Sequence, residues 1–375
     1  MIARLLVKTI VGSIKPNFVV IIYGARRVGK TVLLKQLQDE LKIENALNIN
    51  GDTEEGRNAF STTSEVRLAG LVENYDLVLV DEAQRIPNVS LALKIIIDKF
   101  PHKKVIVTGS SSLELSKGMR ENLTGRNMPY ILFPLSTAEL AAETETYKLP
   151  YLLEDQLIYG GYPYLKQLGS LSDKQKYLNS ITDDYLLRDV LQLERVENAE
   201  TLKKLATLLA FQIGQLVSRH ELSRTLGIDV KTVSRYISLL EKSFVIFGVG
   251  SYSTNLRKEI AKSKKYYFYD LGVRNALIGQ FLPLNSRIDA GALWENLLFA
   301  ERMKRQEYAG KMVKYFFWRN YQGAEVDMVE SEGQKMEAYE FKWSAEYYRA
   351  PKSFMDKYGL NVRIINKDNY LDFVM

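Results

Sequence analysis

Three stretches of this chain hold side chains of the types, and at the spacings, that chemistry uses. They are GARRVGKT (Gly24 to Thr31), LVLVDEAQ (Leu77 to Gln84), and the paired runs AEVDMVE and MEAYEFKWS, which contain Asp327, Glu340 and Lys342. A backbone that approaches a triphosphate needs positions without Cβ, N–H groups aimed inward, and a helix start whose dipole favours negative charge. Gly24 and Gly29 meet the first need. With Ala25, Arg26, Arg27 and Val28 between them they form a GxxxxGKT loop. In such a loop Lys30 reaches the β and γ phosphates of ATP as a point charge, and the Thr31 hydroxyl ligates magnesium. The other half of the site is an apolar strand ending in acid. Asp81 is expected to hold the metal's water shell, and Glu82 to orient and deprotonate the water that attacks the γ phosphate. A third apolar run, KVIVTGSSS, ends in Thr108, Ser110 and Ser111. Ser110 is read as a contact to the γ phosphate, with an ordinary polar strand-end turn as the alternative.

The elements that position these residues follow from patterning. Phe18 to Tyr23 is a short apolar, β-branched run, as a buried parallel strand should be, and VLLKQLQDEL behind the loop is an amphipathic helix. Three strands alternating with helical stretches predict an α/β fold. Its core is a parallel, doubly wound sheet with ligand at the carboxyl ends of the strands.

Composition sets bounds. The chain has 375 residues, too many for one ordinary core, and its hydrophobic fraction of 46% is that of a globular protein. With no cysteine and two histidines, disulfides, thiolate chemistry, Cys-built metal sites and Ser-His machinery are poor expectations. No run approaches the roughly 18 uncharged apolar residues of a membrane span, so a cytoplasmic protein without membrane contact is expected. The net charge of +6 matters less than its distribution, because LRKEIAKSKK (Leu256 to Lys265) carries five basic side chains and one acid. That segment is read either as a solvated loop or as a contact to an acidic partner such as nucleic acid.

Beyond the nucleotide motifs, residues 138–198 read as a helical lid in which Gly160 and Gly161 end a helix. VSRHELSRTLGIDVKTVSRYISLLEK then has helix-turn-helix spacing. Ser218 and Glu221 can form a capping box, Gly227 ends the first helix, and Asp229 caps the second. Val230, Val233, Ile237 and Leu240 form the apolar face, and Lys231, Ser234 and Arg235 lie on a polar face suited to DNA. A packing module between subunits is the other reading. In the last third, strand alternation puts Glu325 and Asp327 on one face and Glu340 with Lys342 on one face of the next strand. Carboxylates beside a lysine on adjacent strands suit magnesium-assisted phosphodiester hydrolysis, with a solvated charged face as the other reading.

With GARRVGKT, LVLVDEAQRI, VIVTGSSS and LTGRNMPYILFPLSTAEL in place, the sequence resembles the AAA-like P-loop ATPases. The resemblance is to a prokaryotic family in which the ATPase domain precedes a winged helix and a C-terminal domain of uncharacterised function. It implies an arginine finger or sensor at Arg126, acting on its own nucleotide or a neighbour's, against which stands a structural salt bridge. The C-terminal stretch from Asp289 to Trp343 resembles the PD-(D/E)xK nuclease core, with Asp327, Glu340 and Lys342 matching its signature. Glu295 matches the acid its first helix often supplies, and Val326 stands where the signature has proline. The resemblance implies that Glu295, Asp327 and Glu340 hold metal.

The expected organisation is thus a P-loop ATPase domain (1–137), a helical lid (138–198), a winged helix (199–265) and an α/β nuclease-like domain (266–375). The function expected is ATP hydrolysis coupled to a DNA-directed module with magnesium-dependent cleavage. The alternative is a regulatory nucleotide-binding scaffold whose C-terminal domain binds a protein partner without cleaving. A homo-oligomer is compatible with both.

Overall fold

The computed structural model describes residues 2–109, 121–193, 198–253, 264–344 and 349–375. The chain divides into two compact units, Met1–Leu135 with Gln192–Glu194, and Ser136–Leu191 with Arg195–Met375.

The first unit is built on a fully parallel five-stranded sheet ordered β2-β3-β4-β1-β5, with β1 Val19–Tyr23, β2 Ala46–Asn50, β3 Leu77–Asp81, β4 Lys104–Gly109 and β5 Asn127–Ile131. Every residue of β3 is buried, and Val19 to Ile22 of β1 are almost solvent-free, which is why these strands read as unbroken apolar runs. Helices α1 Leu6–Ser13, α2 Lys30–Leu41, α3 Glu54–Phe60, α4 Glu65–Val72 and α5 Val89–Lys99 accompany the sheet. Their apolar stripes complete the core: Phe60, Leu68, Val72, Leu93 and Ile97 pack with Val78, Val80, Val105 and Val107. Burying such a side chain is worth about 1.5–3 kcal/mol.

The second unit opens with helices, among them Leu149–Tyr159 and Leu171–Leu193. The glycines after the first of these are more than a helix stop. A Cβ on Gly160 would fall 2.2 Å from Oδ1 of Asp270. The buried Asp270 carboxylate in turn accepts the N–H groups of Gly161 at 2.7 Å and Val273 at 3.1 Å. Asn275 donates to the carbonyls of Leu157 and Ile158, so the helix end is pinned from a segment more than a hundred residues later.

Helices Arg219–Leu226 and Val230–Lys242 follow, the first ended by Gly227 in the left-handed conformation. Asp229 caps the second by accepting the Thr232 N–H at 2.9 Å. Ser218 accepts the Glu221 N–H, while the Glu221 carboxylate takes the Gln212 amide, so the serine half of the expected capping box is formed. Behind them lies a mixed six-stranded sheet, β11-β10-β9-β8-β6-β7. Its strands are β6 Ile246–Ser251, β7 Lys265–Phe268, β8 Lys314–Arg319, β9 Glu325–Glu332, β10 Lys335–Phe341 and β11 Val362–Ile365. β6 and β7 form an antiparallel pair, and β6 joins β8 in parallel through Gly250↔Phe316 and Ser251↔Phe317. Helix Ala290–Tyr308 packs on this sheet: Phe299 stacks on Tyr267 and meets the edge of Phe341. Among the described residues no helix is long and apolar enough to cross a membrane.

Candidate functional site

The loop from Gly24 to Gly29 leaves the carboxyl end of β1 and turns into α2. A side chain at Gly24 would collide with the Leu132 carbonyl, whose oxygen lies 2.4 Å from where a Cβ would stand. Gly29 sits at φ 97°, a conformation glycine adopts without steric cost. Arg27 also takes positive φ, at 62°.

Lys30 is nearly solvent-free. Its ammonium donates to the Gly24 carbonyl at 3.2 Å and the Ala25 carbonyl at 3.0 Å, and lies 3.6 Å from Oε1 of Glu82. Thr31 donates its hydroxyl to Oδ2 of Asp81 at 2.6 Å, so the first helix turn and the β3 end meet although fifty positions separate them. Thr108 completes the arrangement from β4. Its hydroxyl donates to Oδ1 of Asp81 and accepts the Glu82 N–H at 3.1 Å, while Glu82 takes a left-handed backbone at φ 48° and accepts the Gln84 amide at 2.6 Å. Thr108, buried at the strand end, is thus the residue that orders the acid pair among the described part of KVIVTGSSS. Ser110 and Ser111 lie outside the described residues.

The expected arginine finger is not at this site. Arg126 accepts the Val19 N–H through its carbonyl, and Val19 pairs with Asn127, which fixes Arg126 at the amino end of β1 and β5. The phosphate loop leaves the opposite end, four residue steps or roughly 13 Å away. The half-exposed Arg126 guanidinium instead pairs with Asp98 of α5. In parallel strands a residue just before a strand and a loop just after its neighbour lie on opposite rims, so Arg126 cannot serve its own chain's nucleotide. Within its own chain Arg126 forms the structural salt bridge, which leaves the finger reading only for a neighbouring copy's nucleotide.

The second constellation lies in the other unit. β9 and β10 pair with Met328 opposite Tyr339, which brings Asp327 beside Glu340. Oδ2 of Asp327 accepts the Phe341 N–H at 2.8 Å, and Lys342 pairs with Glu340 at 2.7 Å. Burial, then the charges of Glu295 and Glu340, push Asp327 up to about 8. Burial alone would pull Lys342 down, but Glu340 and the neighbouring acids outweigh it and hold it above the ordinary lysine value. Asp327, Glu340 and Lys342 are therefore neighbours on adjacent strands, and Glu295, which the resemblance had added, lies near enough to act on Asp327 through its charge.

Sequence reasoning missed the residue at the centre. Lys265, counted as part of a basic surplus, is buried, with its ammonium 3.0 Å from Oε1 of Glu295 and paired also with Glu325. Tyr267 donates to the same Glu295 oxygen at 2.6 Å. Burial disfavours the charge on Lys265, yet Glu295 and Glu325 overcome it and raise its pKa. The Tyr267 hydroxyl is pushed well above its ordinary value, by burial first and then by Glu295. Glu295 is consequently engaged by a lysine and a tyrosine. Among the described residues no three His, Cys, Asp or Glu side chains stand together as a metal site. The expected metal set Glu295, Asp327 and Glu340 is not gathered as a metal site as these side chains lie, because Lys265 draws Glu295 towards Glu325 while Lys342 holds Glu340. The alternation of β7 could have signalled this, since Lys265 and Tyr267 fall on one face of the strand that pairs with β6.

On helix Val230–Lys242, Val233, Tyr236, Ile237 and Leu240 are buried while Lys231 and Arg235 are exposed. Ser234 donates its hydroxyl back to the Val230 carbonyl at 2.9 Å, which leaves its oxygen able only to accept.

Residues 16–141 match the family described as AAA domain. Residues 151–283 and 290–369 match two families each described as a domain of unknown function, DUF8612 and DUF4143. The chain is 28% identical over 323 residues to an uncharacterized protein of Mycobacterium tuberculosis, covering 84% of this chain and 68% of that one. It is 26% identical over 308 residues to an uncharacterized protein of Haemophilus influenzae, covering 77% and 75%. To one from Methanocaldococcus jannaschii it is 25% identical over 338 residues, covering 84% and 72%. Among solved structures, a DNA polymerase III gamma subunit-related protein of Thermotoga maritima aligns with 64% of this chain and 100% of its own at 13% identity. The TM-score is 0.27, too loose a superposition to bear on fold or function. The first unit thus carries an AAA-type, P-loop ATPase-like domain.

Proposed function

We propose that this protein binds ATP with magnesium at the Gly24–Thr31 loop, hydrolyses it, and uses the nucleotide state to bias a DNA-directed module in the remainder of the chain. The observation that carries the reading is the 2.6 Å bond from Thr31 to Asp81, which joins the start of the loop's helix to the acid strand beside the buried Lys30. The residues present fit a magnesium nucleotide. Thr31 and Asp81 supply hard oxygen donors, and Lys30 supplies a desolvated positive charge. Magnesium, when bound, neutralises charge on the phosphate oxygens.

The chain's own residues do the rest. Lys30, held by the two loop carbonyls, exchanges them for phosphate oxygens when nucleotide arrives. The main-chain N–H groups around Gly29 and the amino end of α2 orient the phosphates. Glu82 offers the carboxylate that positions a water and takes its proton, while Gln84 holds one of its oxygens and Thr108 holds its backbone. Wild-type protein with magnesium is expected to release phosphate from ATP. A protein with no measurable affinity for ATP or ADP in magnesium would refute the reading.

For the rest of the chain, the exposed Lys231 and Arg235 on helix Val230–Lys242 support DNA contact. Several phosphate contacts make affinity fall steeply as salt rises, whereas a purely protein-directed module binds DNA weakly and without that slope. The cation already seated among the C-terminal acids favours recognition without cleavage over a nuclease. DNA incubated with the protein and magnesium is then recovered intact; cleavage that disappears in Asp327→Ala would reverse this.

A further inference from the structure

A buried arginine that no nucleotide motif includes touches the phosphate loop from behind. Arg4 is 5% exposed. Its Nη1 donates to the Val28 carbonyl at 2.7 Å, and its Nη2 to the Phe133 carbonyl at 2.6 Å. The segment that carries it is itself fixed by Gln36 of α2, which accepts the Arg4 N–H at 3.0 Å and donates to the Ile2 carbonyl at 2.8 Å. On the other side of Arg4, α1 is anchored by Leu6 and Ile10, both at 0% exposure.

The bond to Val28 has a directional consequence. In a planar trans peptide the C=O and N–H point to opposite sides. A guanidinium that draws the Val28 carbonyl towards the interior therefore turns the Gly29 N–H outward. That peptide is the one glycine makes easiest to rotate, because Gly29 occupies a region where left-handed and right-handed conformations are close in energy. Gly24 and Gly29 let the loop approach phosphate, but by themselves they do not decide which way the peptide between Val28 and Gly29 faces. The planar fork of an arginine can hold two carbonyls at once, tying the loop to the chain just beyond β5; an ammonium is a point charge without that geometry.

We infer that Arg4 is a positioning residue for nucleotide, setting the Val28–Gly29 peptide so that its N–H faces the phosphates. The inference rests on the ATP reading above and adds to it a residue that never touches the ligand.

Titration with fluorescent ATP and ADP analogues tests it. Arg4→Ala is expected to weaken both nucleotides by about tenfold or more, the loss that accompanies removal of one charge-assisted hydrogen bond. Addition of guanidinium at a non-denaturing concentration restores affinity to Arg4→Ala and leaves wild type unchanged. Arg4→Lys, which keeps the charge without the fork, remains weakened. Affinity in Arg4→Ala equal to wild type overturns the inference. So does a loss that guanidinium leaves in place while the circular dichroism is native, because a residue that only braces the fold gives that pattern. If Arg4→Ala does not fold, Arg4→Gln keeps one donor for one carbonyl and is scored by the same affinity and rescue. Wild type that binds no nucleotide overturns the ATP reading as well, whereas wild-type binding with unaltered variants overturns this inference alone.

Discussion

Each unit buries a lysine among carboxylates, and the two lysines are held in opposite ways. Lys30 leans on two carbonyls of its own loop, and Glu82 stands 3.6 Å away. Lys265 is locked between Glu295 at 3.0 Å and a closer Glu325. Exchanging carbonyl contacts for phosphate oxygens costs the first lysine little, since those carbonyls are uncharged backbone. Removing the second from its acids would strand buried charge, which costs several kcal/mol. One lysine is placed to receive an anion from outside, and the other is satisfied from within.

The contrast is broken most directly at Lys30. Lys30→Ala is expected to lose detectable ATP binding while the unfolding midpoint of the nucleotide-free protein stays near wild type; retained affinity in a fluorescence titration would remove the distinction. Next comes Glu82→Gln, which should bind ATP yet turn it over about a hundredfold or more slowly, the usual scale for losing a positioned base. Wild-type phosphate release from that variant would move the base elsewhere.

Lys265→Met sharpens the other half of the comparison. Met fills similar space but takes the ammonium from Glu295, which keeps Tyr267, and from Glu325, which keeps Arg319, so chemical denaturation should register a loss of about 3 kcal/mol in the second unit. A loss under about 1 kcal/mol would mean that the acids relax into water and the lysine is not a lock.

Acidity gives a smaller signal at the same cluster. Asp327 is raised from 3.8 to about 8, so the folded chain holds this proton more tightly than the unfolded chain does. The resulting stabilisation is complete below about pH 4 and is lost as pH rises through about 8. Denaturation midpoints measured in chelator between pH 5 and 9 should therefore decline, and Asp327→Asn should flatten the decline. Smallest of all is Arg126→Ala. Its exposed pair with Asp98 is worth at most about 1 kcal/mol, and ATP turnover by the isolated chain should not change.

The nucleotide half of the molecule was legible because its chemistry is local. Gly24, Gly29, Lys30 and Thr31 fall within eight residues, and the apolar runs before them and before Asp81 could only be buried strands. What the spacing could not supply was orientation across the sheet. The motif resemblance gave Arg126 a role, but the register Val19↔Asn127 decides which rim it occupies, and that is a property of strand order. The carboxylate cluster was legible for the same local reason, since alternation alone puts Asp327, Glu340 and Lys342 together. Lys265 was not, because a count of charge along the chain is blind to pairing across it. Its neighbour across the hairpin, Val249, and its partner on helix Ala290–Tyr308 are set by tertiary structure. Arg4 escaped for a similar reason: nothing in its spacing marks it until the carbonyls of Val28 and Phe133 come into view.

The mixed sheet has one narrow seam. β6 meets β8 through two registered pairs, Gly250↔Phe316 and Ser251↔Phe317, whereas β9 and β10 share five. Side chains make up for the missing rungs: Lys265 of β7 reaches past the seam to Glu325 of β9, and Tyr267 and Phe268 bond to Glu295 and Asn296 of helix Ala290–Tyr308. The β6–β7 ribbon is thus fastened to the rest of the sheet by the same charges that surround Asp327.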